Sequence, residues 1–212
     1  MYNNFHQQKE FFFDLWAAYY DSLFTTFFYQ AIHQKLLEYV YLKENTNVLD
    51  LGCGTGLLLK RLVKKFPQIQ GIGSDISSSM LEEANLKNEY REKIAFVKSK
   101  AESLCFKDKQ FDAIFCTISF LHYSEPEKVF YQVNRVLKDG GVFYLVDIYG
   151  WLADIFGREK GYSSYIPLMG EVKLYNQQQR ERLASESELS CLSHSYLLPE
   201  VLLSIFVKPI DN

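Results

Sequence analysis

The chain has 212 residues, a net charge of −3 and four cysteines, with a pI near 5.8. That length buries a full core without staples and predicts one domain over 1–212, and the acidic balance lacks the basic footprint of a nucleic-acid partner. Cys53, Cys105, Cys116 and Cys191 include no C-x-x-C pair, which suggests neither a zinc site nor a disulfide framework; with no leader and no apolar run of about 18 residues, the expectation is a cytoplasmic protein without an integral membrane segment.

Residues 1–45 are dense in aromatic side chains. Phe24, Phe27, Phe28, Ala31 and Leu36 recur at near-helical spacing and predict a helix from Leu23 to Tyr41 that covers a sheet. The stretch Val48-Leu49-Asp50-Leu51-Gly52-Cys53-Gly54-Thr55-Gly56 then runs from apolar residues through an acid into three glycines two apart. It reads as a buried strand that breaks into a loop and a helix. Glycine supplies the unusual backbone angles of such a turn and removes a Cβ that would hold a ligand off the backbone. A dinucleotide fingerprint fails because Leu57 and Leu59 stand where its last glycine would fall, and no Gly-Lys-Ser/Thr follows to make a P-loop. Leu57 to Phe66 reads as a helix packed through Leu58, Leu62 and Phe66 and stopped by Pro67. Residues 69–74 give a second strand with Asp75 at its carboxyl end, where an acid roughly 20 residues past the loop accepts from ribose hydroxyls.

Ser77 or Ser79 is placed to cap the next helix, Ser79 with Glu82 as a capping box. Met80 suits a ligand border or ordinary core filling. Ile94 to Lys98 and Phe111 to Cys116 read as the third and fourth strands. Glu125 to Lys138 reads as a helix turned at Gly140-Gly141, and Val142 to Asp147 as the fifth strand. Residues 148–175, aromatic and broken by glycines, are expected to be an irregular insert that helps form an acceptor pocket. Asn176 can cap a polar helix to about Glu188, and Cys191 to Leu197 with Val201 to Lys208 predicts a hairpin turned at Pro199-Glu200.

The D-x-G-x-G-x-G run from Asp50 to Gly56 resembles the first motif of the class I, Rossmann-like methyltransferases that use S-adenosyl-L-methionine. Phe13-Asp14-Leu15-Trp16-Ala17-Ala18-Tyr19-Tyr20-Asp21 is similar to the opening of the small-molecule members of quinone-biosynthesis type, a segment that in the family folds over the cofactor; Trp16 and Tyr20 fit that lid role and plain packing alike. Asp75-Ile76-Ser77-Ser78-Ser79-Met80-Leu81 resembles the family's D-x-S-x-x-M-L, and Phe111-Asp112 its F-D-x-V. Ser99-Lys100-Ala101-Glu102-Ser103-Leu104 departs from x-D-A-E-x-L, since lysine cannot accept from the adenine amino group as the usual aspartate does. By motif the resemblance covers about residues 13–147. It implies a cofactor site made of Asp50, Gly52, Cys53, Gly54, Gly56, Asp75, Ile76, Met80, Ala101, Glu102, Thr117 and Tyr20.

The fold so implied is a doubly wound, seven-stranded, mostly parallel α/β sheet with helices on both faces and an antiparallel strand from the C-terminal hairpin. Its expected parts are a helical cover over 1–45, a cofactor-binding core over 46–147, an acceptor-side insert and helix over 148–190 and the hairpin over 191–209. No Asn/Asp-Pro-Pro-aromatic motif follows the fourth strand, which disfavours a flipped base as acceptor. The implied function is transfer of a methyl group by direct displacement to a small-molecule acceptor. A cofactor-binding subunit without turnover and a methyltransferase of protein side chains are the alternatives. His122 and Tyr123 are candidate catalytic residues, with Asp147 and Tyr149 behind them, if a base is needed at all; the acceptor atom and the oligomeric state stay open.

Overall fold

The computed structural model of the chain describes residues 23–149, 162–166 and 170–210. Helix α1 (Leu23–Tyr39) is followed by β1 (Asn47–Leu51), α2 (Leu57–Lys65), β2 (Gln70–Asp75), α3 (Ser78–Leu86), β3 (Ile94–Lys98) and β4 (Phe111–Thr117). A 3-10 turn (Phe120–His122), α4 (Pro126–Val136), β5 (Leu137–Ile148), β6 (Tyr162–Ile166), β7 (Gly170–Leu174), α5 (Gln177–Glu186), β8 (Ser190–Leu198) and β9 (Val201–Val207) complete the described chain. None of the described helices is long and apolar enough to cross a membrane.

Seven strands form one sheet in the order β3-β2-β1-β4-β5-β9-β8. Pairings from β3 to β5 are parallel, and β9 runs antiparallel to both its neighbours. The expected fold, with its antiparallel hairpin strand, is therefore present. Strand order reverses between β1 and β4, so the loops leaving their carboxyl ends part and open a crevice, which is where doubly wound sheets bind ligands.

Each face of the sheet carries its own core, because successive strand residues point to opposite sides. On one face Val48, Ala113 and Phe115 meet Ile32 and Leu36 of α1 and Leu58, Leu59 and Leu62 of α2. On the other, Leu49, Leu51, Ile114 and Cys116 meet Val129, Phe130 and Val133 of α4 and Leu183 of α5. Asp50 thus projects to the α1 face among apolar neighbours, a placement that matters below. The aromatic stripe of α1 is only partly core: Phe28 packs against it, whereas Phe27 is 67% exposed.

Three local expectations are corrected. Of the two candidate caps of α3, Ser77 is the one found, its hydroxyl accepting from Met80 N at 3.1 Å; the Ser79–Glu82 capping box is not, since the helix starts at Ser78 and Ser79 lies inside the first turn. Helix α4 stops at Val136, and β5 begins at once with Leu137 paired to Phe111. Lys138 to Gly141 are an irregularity of that strand, with Gly140 at φ 73°, so the glycine serves a bulge. The insert is not wholly irregular either: β6 and β7 pair as a second small antiparallel sheet, and β7 packs against the 3-10 turn.

Candidate functional site

The loop after β1 is bent by three left-handed glycines, Gly52 at φ 70°, Gly54 at φ 50° and Gly56 at φ 77°. Two of them are needed for packing as much as for ligand approach. A Cβ on Gly52 would lie 2.6 Å from Ser119 Oγ and 2.7 Å from the Tyr123 hydroxyl, and one on Gly56 would lie 2.5 Å from the Phe96 ring. The loop is pinned to β2, since Gly52 N and Cys53 N both donate to Ser74 O, at 2.8 and 3.0 Å.

Asp75 closes the loop from the other side. Its Oδ2 accepts from Gly54 N at 2.9 Å and its Oδ1 from Ser77 N at 2.9 Å. The carboxylate therefore couples the glycine loop to the start of α3 and sits at the carboxyl edge as expected. Ile76 follows in the turn, half-buried, and Met80 is buried in the first turn of α3.

Asp50 is the least satisfied group of the site. It is 1% exposed, and its Oδ1 is buried with no hydrogen-bond partner. Burial, and after it the charge of Asp75, pushes its carboxyl up to about 8. A small cavity joins Asp50, Gly52, Cys53 and Thr117 to Tyr29 and His33 of α1. His33 is also buried; its Nδ1 lies 2.6 Å from Arg61 while its Nε2 has no partner. Burial first and the Arg61 charge second lower its imidazole to about 3, so it stands neutral in the wall. Buried polar atoms are normally paired; two unpaired ones on one cavity are the mark of a ligand position.

Cys53 is a backbone contributor rather than a reactive thiol. Its sulfur faces the main chain of Gly54 and the space beside Gly73, and burial raises its pKa well above the ordinary thiol value. Ala101 is buried and Lys100 exposed in the turn after β3, and Glu102 Oε1 accepts from Ser124 N and Oγ at 3.3 and 3.1 Å. Glu102 thus ties that turn to the loop after the 3-10 turn.

Thr117 ends β4 beside the cavity. Ile118 then takes φ 50°, a costly angle for a β-branched residue, held because its N–H donates to Val146 O at 2.8 Å. The kink delivers Ser119 beneath the glycine loop, where its hydroxyl donates to Leu51 O at 3.0 Å and accepts from the Tyr123 hydroxyl at 3.2 Å. Burial raises the Tyr123 phenol well above its usual value, which makes it a fixed donor and a poor base. His122 is half-buried in the 3-10 turn, its N–H on Ser119 O at 3.0 Å. Asp147 is buried at the end of β5 and accepts from Leu121 N at 2.9 Å and Ile148 N at 2.7 Å. Burial lifts its carboxyl to about 6 against the opposing pull of Arg180.

The structure therefore brings Asp50, the glycines, Asp75, Ile76, Met80 and Thr117 to the crevice edge, with Ala101, Glu102, His122 and Tyr123 on loops beside it. Tyr20 and Trp16 lie outside the described residues. Tyr29, His33, Ser119 and Arg180 belong to the site and its support but were not singled out from sequence. The residues fit the implied cofactor on two counts: an open carboxyl valence at Asp50 suits the cofactor's ammonium group, and Asp75 at the edge of β2 suits its ribose.

Comparison with known proteins agrees with this geometry. Residues 48–141 match the family described as a methyltransferase domain. A sterol 24-C-methyltransferase of Aspergillus fumigatus is 35% identical over 131 residues, 59% of this chain and 34% of the relative. A demethylmenaquinone methyltransferase of Thermotoga maritima is 33% identical over 115 residues, 54% of this chain and 49% of the relative. A Haloferax volcanii putative methyltransferase, solved in complex with the Trm112 methyltransferase activator, superposes with a TM-score of 0.76 over 93% of this chain and 98% of the other at 19% identity, which speaks for the fold alone. The chain spans about a third to a half of the length of the curated relatives it matches. Residues 48–141, which hold the glycine loop and both acids, thus match a methyltransferase domain, and the strand order and crevice just described agree with that match.

Proposed function

We propose that the chain transfers a methyl group from S-adenosylmethionine to a small-molecule acceptor. The observation that carries the reading is the unsatisfied, buried carboxyl of Asp50 on a cavity walled by the glycine loop and α1. The two relatives above are named for a sterol and for demethylmenaquinone, both small molecules, and the net charge of −3 gives no support to a nucleic-acid acceptor.

The bound cofactor supplies an already activated methyl on a sulfonium. What remains for the protein is to hold donor and acceptor in line at about 3 Å and exclude water. Asp50 would hold the ammonium end, Asp75 would accept from the ribose, Ile76 and Met80 would border the adenine, and the backbone of Ala101 would serve its edge. Thr117 and the glycine loop, which line one cavity, would wall the methionine portion. The 3-10 turn with β7 packed on it forms the acceptor side, and His122, half-buried there, is the group to take a proton should the acceptor carry one. Tyr123 serves by position: its phenol is spent on Ser119 under the loop.

The test is incubation of the protein with methyl-labelled cofactor and a metabolite extract. A labelled small product is expected. Label in protein instead would redirect the reading to side-chain methylation, and tight cofactor binding with no transfer to either would make the chain a binding subunit.

A further inference from the structure

We propose that Glu181, Cys191 and His194 form a binding site for a divalent transition cation of the zinc class, separate from the methyl-transfer crevice. Glu181 lies on α5, and Cys191 and His194 on β8. Their ligand atoms all fall within 4.8 Å of one another. Cys191 Sγ is 3.4 Å from His194 Nε2, and Glu181 Oε1 is 3.0 Å from the same nitrogen.

A strand would not ordinarily bring residues three apart together, because side chains alternate between faces. Here the register slips. Cys191 stands opposite Phe206 and His194 opposite Ser204, with a bulge between Cys191 and Ser193. Phe206 and Ser204 are two apart and share a face, so the bulge at Leu192 turns Cys191 and His194 to that same face, toward α5. Leu192 itself is 60% exposed. Bulges commonly re-aim a side chain in this way.

The convergence is wrong for a catalytic relay. A thiol, imidazole and carboxylate relay needs the acid on one ring nitrogen and the nucleophile on the other. In this cluster sulfur and carboxylate crowd the same nitrogen, which carries at most one proton. His194 Nδ1 is engaged elsewhere, 2.9 Å from Ser204 Oγ, and that hydroxyl accepts from Arg180 Nη1 at 3.3 Å. A cation bound to sulfur, Nε2 and Oε1 answers all three groups at once. Zinc-ligand bonds of about 2.0–2.3 Å in a tetrahedron put ligand atoms roughly 3.4–3.6 Å apart, so the observed spacings need only small adjustments. On binding, the Cys191 thiol proton and any proton on Nε2 leave to solvent. Nδ1–H then donates to Ser204, the outer hydrogen bond that fixes a metal-binding imidazole. Sulfur, nitrogen and one carboxylate oxygen select zinc over magnesium or calcium. Three protein ligands leave the fourth position to water. Strand β8 is four places from β1 in the sheet, roughly 19 Å at the usual spacing, so the site is independent of the cofactor cradle.

The experiment is titration of the full chain with zinc, read by competition with a chromophoric chelator, and with cobalt(II), read by absorption. Cys105, the exposed cysteine among the four, is the control. Expected are one equivalent bound, visible bands of tetrahedral intensity, and a near-ultraviolet thiolate-to-cobalt band that is lost in Cys191→Ser and kept in Cys105→Ser. Glu181→Gln, at an exposed helix position, should leave circular dichroism unchanged and weaken zinc binding tenfold or more. The proposal is overturned by a wild-type protein without the thiolate band, by a band that survives Cys191→Ser, or by equal zinc affinity in Glu181→Gln.

Discussion

Two pairs of buried polar residues at the sheet's carboxyl edge are treated in opposite ways. At β5, Asp147 accepts from two backbone N–H groups, and the fully buried Arg180 donates to Tyr175 O, Leu202 O, Ser204 Oγ and Asp147 O. At β1, one oxygen of Asp50 and one nitrogen of His33 are equally buried and have nothing to bond. Burial without a partner is expensive, and the two unpaired atoms of Asp50 and His33 share one cavity, where a single ligand would answer both. Asp147 and Arg180 read as scaffold, and the pair at β1 as the place proposed for the ligand.

The comparison is broken most severely by opening the Asp147 and Arg180 pair. Arg180→Ala orphans several buried acceptors and removes the positive charge that faces Asp147. It should destabilise the domain by about 3–5 kcal/mol in urea unfolding, while the molecules still folded bind cofactor with near wild-type affinity. Loss of binding without loss of stability would place Arg180 in the ligand site instead.

A smaller effect comes from the group that is partly open. Asp75→Ala should weaken S-adenosylmethionine by about 1.5–3 kcal/mol, roughly tenfold to a hundredfold. Some stability goes with it, because Gly54 N and Ser77 N lose their shared acceptor. Unchanged affinity in a calorimetric titration would leave Asp75 a loop tie only.

The smallest effect is at the turn after β3. Lys100 is exposed, and Glu102 is engaged with Ser124, so an adenine seated at this turn would lack a carboxylate for its amino group. Lys100→Asp should tighten the cofactor by up to about 1.5 kcal/mol, near a factor of ten, with Lys100→Ala as the control that removes charge without adding an acceptor. An aspartate variant no tighter than the alanine one would take Lys100 away from the adenine.

What the sequence made legible at this edge was local. Asp50, the three glycines and Asp75 are readable because a strand-to-helix turn and an acid after the next strand are demands a few residues make on themselves. His33 is 28 residues from Arg61 and Ser119 is 68 from Leu51, and nothing in their own neighbourhoods announces those meetings. Arg180 sat in a helix that reads as polar, yet it is fully buried, because acceptors on β5 and β9, far from it in sequence, receive it along with the Tyr175 carbonyl. Cys191 and His194 looked unrelated for a different reason: a bulge reverses the alternation on which strand reading rests. Strands β6 and β7 were hidden among aromatics and glycines that carry no clean alternation.

If the cofactor completes Asp50, its binding must be linked to a proton. Its folded-state value of about 8 lies above the unfolded carboxyl's. Free protein therefore keeps this proton, and loses the associated stability as pH rises from the carboxylate range toward 8. A cationic group seated against Asp50 drives the proton off. Titration calorimetry with S-adenosylmethionine at pH 7, repeated in buffers of different ionisation enthalpy, should show one site, proton release approaching one per cofactor, and none in Asp50→Asn, with NAD failing to bind. Cofactor binding with no proton release, or with the same release in Asp50→Asn, would contradict the assignment.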